Sequence, residues 1–584
     1  MLNRLIFWSI NNKLIVAVFT FFLLIIGIKE LGELPIDAVP DITNNQVQII
    51  TVSPSSSAED IERLVTFPVE QAVASIAGIE ELRSFSRLGL SVVTVVFSEN
   101  TDVFWARQQV AERLGEVKNE IPQSLGEPTM APLTSGLGEI YQYTLTVKPG
   151  FESSYTPTDL RTLQDWLVRR QLLGVAGVAD VSGFGGHLKT YEVSINPQAL
   201  KSFGLTIADV FKSIEANNQN TGGAYIEREG MTTYIRAEGL LHNLDEIEQI
   251  TIGHNDQGMP ITVNQVAKVQ LGKAVRYGAL TFNQRGEAVG GIVMMLKGAN
   301  SDQTINAVKA QIEEIKTMLP KGVEIAPYLD RSDLVQRAIH TVSSNLIEGA
   351  LIVIFVLVLL LGNLRAGLVV ASVIPLAMLF AVILMNLFGV SGNLMSLGAL
   401  DFGLIVDGAV IIVEATLHVV SLHQVNKISQ LEMNNNVNSA ASKFSKSAVF
   451  GQIIILVVYL PILSLVGIEG KMFKPMALTV MFAIVGALIL SLTYVPMMSS
   501  LVLSKHITHK KSISDRVMDN ITRVYRPMFF AVFRRQRLVI SIIISILIVS
   551  IVLFSRLGAE FIPNLDEGDF AVEMRLLPGA SLTN

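Results

Sequence analysis

Residues Ser391–His418 read SGNLMSLGALDFGLIVDGAVIIVEATLH, an apolar run that carries Asp401, Asp407 and Glu414 and no lysine or arginine. Its length and composition predict one membrane-crossing helix. An aspartate at the centre of such a helix costs about 2.5–3.5 kcal/mol on the insertion scale, so carboxylates kept there point to a function. A soluble helix with its acids facing water is the alternative. The apolar neighbours, and similar spans elsewhere in the chain, count against it.

Helix geometry arranges these acids. At about 100° per residue, Asp407 and Glu414 share a face and stand about 10 Å apart along the axis. Asp401, six residues before Asp407, is expected about 120° around the helix and nearer one membrane surface. The three form a ladder through the bilayer rather than a compact metal cage. Gly403, Gly408 and Ala409 would let a neighbouring helix approach closely. Carboxylate ladders inside membranes serve proton relays.

The whole composition agrees. The chain has 584 residues, 50% hydrophobic and 16% charged, with mean hydropathy +0.47. That is the balance of a polytopic membrane protein with a substantial water-soluble part. A net charge of −6 argues against nucleic acid as a partner. The absence of cysteine excludes disulfides and thiolate metal sites. The first apolar stretch has no small-residue cleavage site and is followed by further spans, so it is expected to remain as an anchor.

Seven spans are expected: Leu14–Ile28, Leu346–Leu361, Gly367–Met385, Leu394–His418, Ala448–Leu465, Met476–Leu503 and Leu538–Phe554. Pro375, Pro461 and Pro496 fall within them and are read as kinks. Between the first two spans, strand-like runs such as Gln46–Val52 and Ser91–Phe97 alternate with helical periodicity over Ala58–Ala77 and Phe104–Ile121. A similar order recurs from Tyr141 to Ile195, so this insert is expected to hold α+β units of the split βαβ type. Pro128, Pro132, Gly136 and Gly138 mark a boundary between two of them. The expected organisation is a first transmembrane helix (1–30), an α+β domain (31–340), helices two to six (341–503), a basic linker (504–537), a seventh helix (538–556) and the start of a second extramembrane unit (557–584).

Lysine and arginine set the orientation. With Met1 inside, the cytoplasmic loops carry Arg365, then Lys427, Lys443 and Lys446, then nine bases between Lys505 and Arg537. The outer loop Asn386–Asn393 has no charge, while Val466–Pro475 holds Lys471 and Lys474 and is an exception. The α+β domain then lies outside the cytoplasm. The stretch Ser512–Arg537 reads either as an amphipathic helix on the inner membrane surface or as a solvated linker. No lysine or arginine lies in the apolar core of any expected span, so the three acids lack a cationic partner. Together with the strand expected at Phe570–Leu577, this reads as the first half of a duplicated transporter.

The run LGALDFGLIVDGAVIIVE, with ELPIDAVPDITNNQVQI at Glu33–Ile49 and GAEFIPNLDEGD at Gly558–Asp569, resembles the resistance–nodulation–division (RND) superfamily. Within it, these runs look like the heavy-metal-efflux branch of cobalt–zinc–cadmium (CzcA) type, and the likeness extends from Met1 to Asn584. The resemblance implies a homotrimeric inner-membrane antiporter in which proton influx drives cations to a periplasmic adaptor (membrane fusion) protein and an outer-membrane channel. Asp401, Asp407 and Glu414 match the family's proton-relay positions, with Asp407 as the central carrier. The family's lysine partner lies in the second half. No bound cofactor is implied: metal ions are the substrate and protons the coupling ion.

The resemblance also bears on the metal. Where the copper/silver branch has a methionine in the first strand after the seventh span, this chain has Glu573. Thioethers suit Cu(I), whereas carboxylates suit borderline divalent ions such as Zn(II), Co(II), Cd(II) or Ni(II). Glu139, in the run GLGEIYQY, is a second candidate ligand, with an ordinary loop acid as the alternative. Asp566, Glu567 and Asp569 would attract cations, but turn formation explains them equally well. No histidine sits in a metal-ligand motif. Competing readings are an RND transporter of drugs or lipids, against which the 7% aromatic content counts, and a periplasmic export or assembly factor. An enzyme is not expected, because no nucleophile–base, Walker-type or metalloprotease spacing occurs.

Overall fold

The computed structural model describes residues 2–37, 40–54, 56–255, 257–276, 278–283, 286–398, 400–421, 428–505, 513–558, 572 and 574. Among these, six helices are long and apolar enough to cross a membrane: Lys13–Glu33, Leu364–Leu387, Met395–Ser421, Gln430–Leu463, Gly467–Leu492 and Gln536–Phe554. The second expected span is different in kind. Its apolar part, Ile347–Leu359, is short and belongs to a 31-residue helix that starts outside the bundle at Arg331.

We label the bundle helices α1 (Lys13–Glu33), α2 (Arg331–Leu361), α3 (Val373–Leu387), α4 (Phe402–Ser421), α5 (Gln430–Leu463), α6 (Gly467–Leu492) and α7 (Gln536–Phe554). Their shared core gathers Val373, Ala377, Ile405, Ala409, Ile412, Val437, Ala441, Ala483, Ile484 and Ala487. The small residues let backbones approach, as membrane packing requires. At Gly27 of α1 a Cβ would stand 2.6 Å from the Leu379 Cβ of α3, so that position admits only glycine without a shift. By contrast, none of the residues of α7 is buried.

Several expected boundaries move. The polar segment before Ala448 is helical from Gln430, because Ser429 and Glu432 form a capping box: each side chain accepts the other's backbone N–H, at 2.8 and 3.2 Å. Pro375 sits in the first turn of α3, where its missing N–H is no loss. The expected span Met476–Leu503, which contains Pro496, is broken at Thr493 into α6 and a short helix Tyr494–Val502. The basic stretch contains a helix, Ile513–Arg534, with Ile521, Tyr525, Met528 and Val532 on one face and Arg516, Arg523 and Arg534 on the other. The strand expected at Phe570–Leu577 lies outside the described residues except for Val572 and Met574.

Outside the bundle stand two units of one topology. The first runs β1 (Gln46–Val52), a helical run from Ala58 to Val73, β2 (Ile79–Arg87), β3 (Leu90–Phe97), the helix Val103–Val117 and β4 (Thr129–Met130). Its antiparallel sheet has the order β2–β3–β1–β4, the split βαβ arrangement. In β1, Val47, Ile49 and Thr51 face inward in strict alternation. Ala106, Val110, Leu114 and Val117 of the facing helix close the core.

The second unit repeats this plan with an insertion. It begins with β5 (Glu139–Val147), a helical run from Pro157 to Leu172 and β6 (Val178–Gly185). The insertion holds β7 (Lys189–Ile195), the hairpin β8 (Thr221–Arg228) and β9 (Met231–Ala237), and β10 (Ala267–Lys273), which pairs with β7. β11 (Glu287–Met295), the helix Ser301–Met318 and β12 (Val323–Asp330) complete the sheet in the order β6–β11–β5–β12. Each unit's first helical run contains a π turn, Glu62–Thr66 or Gln164–Val168. Both turns deliver a polar side chain to the sheet: Thr66 meets Ser86 and Ser91, and Gln164 accepts from the Tyr143 hydroxyl at 3.0 Å.

Two contacts, the strand pairing at Ile36–Asp37 and the bonds of Lys471, fix these units to the bundle, and a third, between Asn386 and Glu30, ties α3 to α1 beside them. The segment Ile36–Asp37 pairs in parallel with Gly392–Asn393. Asn386 donates to the Glu30 backbone carbonyl at 2.8 Å and to its carboxylate at 2.9 Å. Lys471 donates to the Thr43 carbonyl at 2.6 Å and pairs with Glu99 at 2.9 Å. That pairing gives the exceptional outer lysine a structural reason.

Candidate functional site

α4 is not continuous with the apolar residues before it. The chain forms a short helix, Leu394–Gly398, and resumes at Phe402. Asp401 lies in the break and its Oδ1 accepts the Gly403 backbone N–H at 2.8 Å. A short carboxylate at a helix start satisfies an otherwise bare N–H and favours the positive end of the helix dipole. The expected angle of about 120° from Asp407 therefore does not apply, because Asp401 caps the helix from outside it.

Asp407 and Glu414 do share a face. Both are exposed, while Ile405, Val406, Gly408, Ala409, Ile412, Val413, Ala415 and Thr416 are buried. The neighbouring helices thus cover α4 on all sides but the one carrying the acids. His418, one turn beyond Glu414, is exposed on that same face. The i, i+4 spacing from Glu414 was the available signal for this histidine, which the sequence reading assigned to nothing. Among the described residues, no ion pair engages Asp407 or Glu414.

A quarter-turn away, Gly408 meets two other helices. A Cβ there would stand 2.9 Å from Nε2 of Gln452 in α5 and 3.2 Å from Oγ of Ser491 in α6. Gln452 is 2% exposed. Neither polar atom of its carboxamide has a hydrogen-bond partner among the described residues.

The metal-ligand candidates fare differently. Glu139 is the exposed first residue of β5 and accepts from Gln142 Nε2 at 2.8 Å. Burial and the Glu139 carboxylate push the Tyr328 hydroxyl up to about 12, which places negative charge beside that ring. No group of three histidine, aspartate or glutamate side chains suited to a metal ion occurs among the described residues. Glu573, Asp566, Glu567 and Asp569 lie outside them.

An acidic cavity of about 520 Å³ where the bundle meets the β units was not foreseen. Glu30, Glu33, Asp37 and Asp41 line it, with Met295 and Met385. Burial raises the Asp37 pKa above the usual carboxylate range; the Ser301 hydroxyl, which donates to it, and Arg331 oppose that shift, and Asp41 adds to it.

The profile of the AcrB/AcrD/AcrF family matches residues 5–584. The chain is 43% identical over its whole length to the "Cation efflux system protein CzcA" of Alcaligenes sp. (strain CT14), covering 55% of that protein. It is 42% identical to the "Cobalt-zinc-cadmium resistance protein CzcA" of Cupriavidus metallidurans, again over the whole chain and 55% of the relative. A crystal structure of a heavy metal efflux pump matches with TM-score 0.81 and 33% identity, over 97% of this chain and 53% of that one. The chain thus spans about half the length of these relatives.

Proposed function

The chain belongs to the AcrB/AcrD/AcrF family, in its heavy-metal-efflux branch, and from that premise we propose that it forms half of a proton-driven exporter of divalent cations. Zn(II), Co(II), Cd(II) and Ni(II) are the substrate class. The open face of α4 carries the proposal: two exposed carboxylates, Asp407 and Glu414, stand on a multi-pass bundle with no ion pair to either among the described residues. In a membrane such acids need a partner. A second repeat facing α4 supplies it, as transporter repeats do across a central site.

In this reading Asp407 takes and releases the proton, Glu414 and His418 extend the path along the same face, and Asp401 holds the start of α4. Protonation removes the charge that binds α4 to its counter-charge, so the two repeats shift against each other and protons drive the β units outside. There, Glu139 and Glu573 are proposed to hold the metal ion as substrate. The inner membrane is the proposed location, with the two β units in the periplasm, because the lysines and arginines of the loops between the spans, Lys471 and Lys474 excepted, fall on the opposite side.

A homotrimer working with a periplasmic adaptor and an outer-membrane channel is part of the proposal. The β8–β9 hairpin supports the oligomer. All of its residues are exposed, with Tyr225, Ile226, Tyr234 and Ile235 among them, and a lone two-stranded ribbon of this kind is marginal in water. A partner's surface is its natural cover. The test is metal flux in proteoliposomes under an imposed proton gradient, with the second repeat supplied. Divalent flux that collapses when the gradient is dissipated supports the reading. Flux indifferent to the gradient overturns it.

A further inference from the structure

α5 carries polar residues at a seven-residue interval, Asn438, Ser445 and Gln452, along the seam where Val437, Ala441 and Ala448 are buried. Seven residues make two turns less about 20°, so the three form one stripe about 20 Å long. Gln452 sets its level, since its carboxamide meets Gly408, the neighbour of Asp407. α4 and α5 follow one another and pack together. The stripe therefore runs from the level of Asp407 to the end of the bundle where α4 stops and α5 starts.

The stripe is short of hydrogen bonds. Oδ1 of Asn438 and both Nε2 and Oε1 of Gln452 are buried without a partner among the described residues. Among the described residues the Ser445 hydroxyl donates to the Ser442 carbonyl alone, at 3.2 Å. Inside a bilayer, bare polar groups persist only where protein or internal water satisfies them. A carboxamide with both ends free offers a donor and an acceptor, which is what an internal water needs.

We propose that the α4–α5 seam holds a file of water molecules, positioned by Asn438, Ser445 and Gln452, that carries protons between Asp407 and the cytoplasm. The inference rests on the proton-relay reading of Asp407. When the Asp407 carboxylic acid ionises, the first water takes its proton and each water passes one on, so no residue of the stripe ionises. Asp407 then has two approaches: the buried flank through Gln452, and the open face with Glu414 and His418.

Hydration is tested on the chain in liposomes by water-edited solid-state NMR with ¹⁵N-glutamine, the Gln452 signal being assigned by its loss in Gln452→Leu. Magnetisation should pass from water to the Gln452 side chain as fast as to exposed glutamines. Transfer as slow as to dry core amides would overturn the file. Flux with the second repeat supplied separates this proposal from its premise. Gln452→Leu should lower proton-driven flux by about tenfold with metal KM unchanged, and Gln452→Asn should restore most of it. Wild-type flux in Gln452→Leu, with Asp407→Asn inactive, refutes the file and leaves the relay standing. Wild-type flux in Asp407→Asn refutes the premise, and with it the proton-carrying role of the file.

Discussion

Gly408 of α4 lies against the carboxamide of Gln452 of α5, so closely that a Cβ at position 408 would stand 2.9 Å from Nε2 and 3.2 Å from the Ser491 hydroxyl. This contact joins three helices one residue from Asp407. Gly408→Ala meets the far end of a flexible side chain and should be tolerated with a small shift of Gln452. Gly408→Ile should destabilise the bundle by about 1–3 kcal/mol through overpacking. Thermal unfolding in detergent distinguishes the two, and equal stability for both variants would deny the close contact.

The start of α2 depends on Asp330. Its Oδ1 accepts the Ser332 backbone N–H at 3.0 Å, and its carboxylate pairs with Lys309. Burial works against the charged form, but the bonds from Lys309 and Ser332 outweigh it and hold the Asp330 pKa below the usual carboxylate range. A depressed pKa adds stability that is present above the unfolded-state pKa of about 3.9 and is lost as pH falls through the folded value. Asp330→Asn should therefore speed hydrogen exchange at residues 331–337 near neutral pH, and the difference should fade at acid pH. A difference that persists unchanged to low pH would contradict the assignment.

The exposed hairpin gives a prediction about assembly. Replacing Ile226 and Tyr234 together by aspartate puts charge on both strands of an isolated ribbon without touching a buried core. The variant should fold and remain monomeric, as read by native mass spectrometry. Trimers as abundant as those of the unaltered protein would remove the hairpin from the interface.

Glu139 separates a ligand from a surface acid. If it holds the substrate ion, Glu139→Gln should raise the metal KM by about tenfold or more at constant kcat, because a binding contact is removed without a change in the proton step. Unchanged KM would leave Glu139 as the partner of Gln142 alone.

Much of this architecture was legible because its signals are local. Asp407 and Glu414 announce themselves by charge within an apolar run, and the alternation in Gln46–Val52 marks a strand whose pattern the fold preserves. The break at Asp401 was missed because hydropathy is blind to capping: the same carboxylate that reads as a rung of the ladder accepts a backbone N–H and starts the helix. The early start of α5 had a usable signal, Ser429 three residues before Glu432, hidden by the asparagine-rich run that follows it. Gln452 is a different matter. Its meeting with Gly408 joins residues 44 positions apart, and only the packing of α4 on α5 reveals it.

The most direct test of the central claim is Zn(II) flux in proteoliposomes under an imposed proton gradient, with the second repeat supplied, comparing the unaltered chain with Asp407→Asn. Proton-driven flux in the first and none in the second, with assembly intact in both, is the predicted result. Equal flux in the two would contradict the account.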